Sequence, residues 1–79
     1  MTTMHRDRNW KIQVFGREHG VPHFHVWTPN SAAVIAIDTL AVLSGAVDAK
    51  TLEEARAWAD AHRVELFAEW RRLNPEKNL

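Results

Sequence analysis

Apolar residues in this chain change their spacing once, and that change limits what the chain can fold into. Up to Val47 they fall in short runs of four to eight residues, alternating in Asn9–Phe15; from Leu52 they recur at steps of three or four. Period two sends alternate side chains to opposite faces of a strand, and a period near 3.6 lines one side of a helix. The order is therefore strands first, then helix.

Asn9–Phe15 alternates Trp10, Ile12 and Val14 against Lys11 and Gln13, as a half-buried strand does. Gly16 to Pro22 holds two glycines and a proline and reads as a loop. His23–Thr28 is a second strand, Pro29-Asn30-Ser31 a turn, and Ala33–Asp38 a third strand. Leu40–Val47 reads as a short fourth, with Gly45 weakening it or marking a bulge. Parallel pairing would need long crossovers, so an antiparallel meander is expected.

Thr51 opens the helix. Thr51-Leu52-Glu53-Glu54 fits a capping box, the hydroxyl capping the first turn while Glu54 reaches back. Leu52, Ala55, Ala59, His62, Leu66, Trp70 and Leu73 form one stripe, flanked by Trp58. Asn74-Pro75 ends it, and the tail to Leu79 is expected to fray. Arg71 and Arg72 read as a solvated cap at the negative end of the helix dipole. The expected fold is α+β: a three- to four-stranded antiparallel sheet with one long C-terminal helix packed on it. It forms a single domain over 1–79 with an ordered core at about 9–73.

Seventy-nine residues leave room for one thin core. The hydrophobic fraction of 46% suffices for it, and the four tryptophans are expected to supply core or interface. The chain has no cysteine, which excludes disulfides and thiolate zinc sites. Met1 to Lys11 is polar, unlike a signal peptide. The longest apolar run, Ala32–Ile37, is far short of the ~18 residues that read as a membrane span. A cytoplasmic protein is expected. Ten basic and ten acidic residues balance, although Arg6, Arg8, Lys11 and Arg17 gather in the first part of the chain.

The chemically pointed residues are histidines. On a strand, His23, His25 and Trp27 share one face, while Phe24, Val26 and Thr28 share the other. His19 and Arg17 lie in the preceding loop. Three readings compete. The imidazoles are structural, hydrogen-bonding the loop–strand junction. Or they cleave RNA without metal, with His23 and His25 as acid and base, His19 assisting, Arg17 holding phosphate and Trp27 stacking a base. Or they bind a metal through His23 and His25, with His19 or Asp38 as a third ligand. No cofactor is expected unless that divalent metal is bound. A histidine in an apolar helical stripe is more often a satisfied core residue, and His62 reaches the pair only if the helix covers their face. That conflicts with burying Phe24 and Val26 beneath the helix.

Arg17-Glu18-His19-Gly20-Val21-Pro22-His23-Phe24-His25-Val26 resembles the His-x-Pro-Pro-His-Phe-His-Val signature of a small bacterial family, domain of unknown function 4160. Val21 stands where that signature has its first proline. Leu43-Ser44-Gly45 and Trp58…His62…Glu65-Leu66…Trp70 are also similar to the family, so the likeness spans roughly residues 9–73. The resemblance implies functional positions at His19, His23 and His25, with His62 and Trp58 in support. Members are often encoded beside a second small protein, as toxin–antitoxin pairs are. The resemblance thus implies a toxin-like or regulatory member of a two-gene module with a small antitoxin-like partner, while RNA as a target rests on the histidine chemistry above. If it is an enzyme, a metal-independent endoribonuclease is expected. The other expectation is a non-catalytic interaction module or homodimer docked through its tryptophans.

Overall fold

The computed structural model describes residues 1–75; the tail expected to fray lies outside them. Five strands run β1 (Thr2–Arg6), β2 (Lys11–Val14), β3 (His23–Trp27), β4 (Ala32–Ala36) and β5 (Val42–Ala46). They form one antiparallel sheet in chain order, β1-β2-β3-β4-β5. Two helices follow, α1 (Ala49–Ala61) and α2 (Arg63–Leu73).

The α+β meander is as expected, but the sheet has five strands rather than three or four. The extra one is β1, whose polar sequence carries no apolar alternation. It is a sheet edge that meets the helix layer through polar groups: the Thr2 hydroxyl donates to the Glu69 carboxylate, which also pairs with Arg72. Met4 sits in a bulge between Thr3 and His5 and packs on the core.

The single long helix is also corrected. It breaks at His62, which leaves helical backbone (φ −127°, ψ 27°) and donates its own N–H to Ala59 O rather than to Trp58 O. The freed Trp58 carbonyl instead meets His62 Nδ1 at 2.7 Å. The apolar stripe runs on across the break, with Leu66 and Trp70 buried. Periodicity alone therefore does not mark the break. The expected Thr51 cap is corrected too. Asp48 is the N-cap, its carboxylate accepting from Thr51 N–H and the Thr51 hydroxyl. Glu54 does not reach back; it accepts a hydrogen bond from Trp10 Nε1 at 3.0 Å.

Register sorts the sheet's two faces. Ile12 pairs with Val26, and Phe24 with Ile35; these residues and Val14 are fully buried against Ala55, Ala59, Leu66 and Trp70 of the helices. Lys11 pairs with Trp27, Gln13 with His25, and His25 with Val34, so these residues share the opposite face. No described helix is long and apolar enough to cross a membrane.

Candidate functional site

Three side chains converge where the β2–β3 loop enters β3. Glu18 Oε1 lies 2.5 Å from His23 Nε2 and 3.0 Å from His25 Nε2. The spacing of the histidines on β3 supplies two imidazoles from one strand, and the loop folds Glu18 back onto both. Asn74, just past α2, holds the loop in place. Its side-chain oxygen accepts from Glu18 N–H, while its Nδ2 donates to Phe15 O and Trp70 O. The end of the second helix therefore positions a carboxylate 56 residues earlier in the chain. The His23 ring packs 4.7 Å from Trp70, and His25 lies between Phe15 (4.7 Å) and Trp27 (6.0 Å, nearly parallel).

The burial is graded. His23 is buried, while Glu18 and His25 are half-buried. Burial opposes ionisation of Glu18. The hydrogen bonds from His25 and then His23, with the charge on those rings, outweigh it and hold the carboxyl below its usual range.

The decisive contact is at the other nitrogen of His23. Nδ1 lies 2.8 Å from Val21 O, and a carbonyl oxygen only accepts, so Nδ1 carries hydrogen. In a neutral imidazole Nε2 then bears a lone pair, and it faces a carboxylate oxygen. At 2.5 Å these two atoms share a proton, carried by His23 or by the Glu18 carboxyl; a metal ion, with bonds of about 2.0–2.2 Å, would take the place of that proton with the two atoms further apart. His25 Nε2 adds a third potential donor atom, and the three candidate ligand atoms lie within 4.8 Å of one another.

The structure brings part of the expected site together. His23 and His25 meet as read. The third member is Glu18, and neither His19 nor Asp38 belongs to the cluster; both are exposed. Arg17 is exposed on the same loop, in left-handed backbone (φ 60°). Trp27 is 36% exposed. His62 and Trp58 do not join the cluster. Their rings stack on each other at 4.1 Å, and Trp58 also stacks on His5 at 4.9 Å. The conflict over the helix is resolved in favour of burying Phe24 and Val26. Glu18 was legible only as a member of the Arg17–Val26 stretch that resembles the family signature, because its role depends on Asn74, far away in sequence.

The model of the family described as Domain of unknown function (DUF4160) matches residues 9–71, and the chain belongs to that family. Neither the curated proteins nor the solved structures contain a match to this chain.

Proposed function

We propose that this member of the family binds a divalent transition-metal ion through Glu18, His23 and His25. The observation that carries the reading is the convergence of three potential ligand atoms: His23 Nδ1 is committed to Val21 O, which leaves its Nε2 facing Glu18 Oε1 beside His25 Nε2. Two neutral imidazoles and one carboxylate are the donor set of catalytic zinc sites and of non-haem iron sites. The Val21 carbonyl is the kind of outer partner that fixes the tautomer and orientation of a metal-ligating histidine. Three protein ligands leave a coordination position for water or a substrate oxygen, and half-buried His25 and Glu18 lie on the side that solvent reaches.

The activity we assign to such a centre is attack on RNA, as the toxin-like member of a two-protein module with a small cognate partner. Arg17 and His19 support it, being exposed on either side of Glu18 in the loop, as does Trp27 stacked on His25. A metal-free acid–base pair of His23 and His25 is less well supported, because both ring nitrogens of His23 are already engaged.

The test is elemental analysis of tag-free protein purified without chelator. One equivalent of zinc, iron, manganese or nickel is expected, with little left in Glu18→Ala or His25→Ala. Background metal in the wild type, or equal metal in the variants, would refute the centre. Sequencing RNA after expression of the chain tests the activity: new cleavage ends should vanish with His25→Ala.

A further inference from the structure

The open face of the sheet carries a second feature, at the end of β3 away from the Glu18 cluster. Arg6 pairs with Lys11, and Lys11 pairs with Trp27, so the three residues form one row across β1, β2 and β3. An open cleft of about 280 Å³ lies along this row, and Arg8 from the β1–β2 turn also lines it. Arg6, Arg8 and Trp27 are exposed, and Lys11 is half-buried. Among the described residues, none of these three cations is in a salt bridge; the four described bridges use other groups. The acid lining the cleft is Asp7, whose carboxylate is turned back to accept the Arg8 N–H at 2.6 Å. The cleft therefore has a net positive lining although the chain as a whole is neutral.

We propose that this row is a binding site for single-stranded nucleic acid, with Trp27 stacking an unpaired base and Arg6, Arg8 and Lys11 holding the flanking phosphates. A cationic groove beside an exposed aromatic ring is the chemistry that binds single strands without base-pair readout. A duplex does not fit the site, since its bases are already stacked on one another. The strand's course is set by the sheet: Trp27 stacks on His25, so a chain leaving the cleft along β3 passes His25 and meets Glu18. The inference extends the RNA activity assigned above, but it uses none of the three metal ligands, so the two can fail separately.

Fluorescence anisotropy of the full chain tests it, with a labelled twelve-nucleotide oligo-uridine, the matching DNA strand and an RNA duplex, all in EDTA. Single strands should bind and the duplex should bind much more weakly. Trp27→Ala should weaken binding by about tenfold or more, and Trp27→Phe should restore most of it. Replacing Arg6, Arg8 and Lys11 together with glutamine should lower the slope of log affinity against log salt by about two. Arg71→Gln, on exposed α2 surface, should bind as the wild type does. Circular dichroism confirms that each variant is folded. Absence of single-strand binding at low salt, equal affinity for duplex, or an unchanged affinity in folded Trp27→Ala overturns the proposal. Binding in EDTA by a chain that takes up no metal would leave this site standing and remove only the metal centre.

Discussion

The chain holds two histidine pairs, and they differ in what the rings meet. His23 and His25 meet one carboxylate oxygen through Nε2, on a strand, with a main-chain carbonyl fixing the His23 tautomer. His5 and His62 meet the face of Trp58, at 4.9 and 4.1 Å, and the His62 ring bonds the main-chain carbonyl of Trp58. The first pair gathers two ring nitrogens around one carboxylate oxygen. The second uses its rings as flat packing surfaces that cover a helix break. The same side chain thus serves a site in one place and a joint in the other, and its neighbours decide which.

Substitutions should separate the two groups. The largest effect is expected on metal affinity. Loss of an outer-shell partner already costs roughly 10–100-fold, so Glu18→Ala or His25→Ala, which remove a ligand, should lose more than that. Trp58→Ala should leave affinity close to wild type in a competitive chelator titration. A comparable loss in Trp58→Ala would mean that the two groups are not independent. The stability ranking should be reversed at Trp58: removing this half-buried ring and its two imidazole contacts should cost about 2–3 kcal/mol in urea unfolding, more than His25→Ala in EDTA.

The extent to which these groups were legible follows from the same contrast. The His23–His25 pair was readable because strand geometry alone puts alternate residues on one face. The buried Phe24–Val26 face and the Leu66 and Trp70 positions were readable from period. Glu18 was not, since it lies in a loop and is set by an Asn74 contact that no local pattern encodes. The break at His62 was hidden because no glycine or proline marks it and the apolar stripe continues past it. The β1 strand escaped because Met4 is its one apolar residue after Met1, so no alternation marks it, and Thr2 bonds Glu69 while His5 stacks on Trp58.

A smaller effect should appear in acid. The folded state holds the Glu18 carboxyl below its unfolded value near 4.5. Its contribution to stability is therefore fully present above that value and is lost as pH falls through the lower folded one. In EDTA, urea midpoints of the wild type should fall, as pH drops below 4.5, more steeply than those of Glu18→Gln. Glu69, lowered to about 2 chiefly by hydrogen bonds from Arg72 and Thr2, carries the remaining loss further into acid in both proteins. Parallel midpoint curves would show that the Glu18 contacts add nothing to the fold. The smallest effect belongs to His62→Ala. Loss of one stacked ring and one bond to a carbonyl should cost about 1 kcal/mol, with metal affinity unchanged.

Cobalt(II) titration followed by visible absorption probes the Glu18–His23–His25 centre most directly, because ligand-field bands report coordination rather than mere uptake. Bands should saturate at one equivalent in the wild type and in His62→Ala, and should be absent in Glu18→Ala and His25→Ala. A spectrum no different from aqueous cobalt in the wild type, or the same bands in Glu18→Ala and His25→Ala, would contradict the centre.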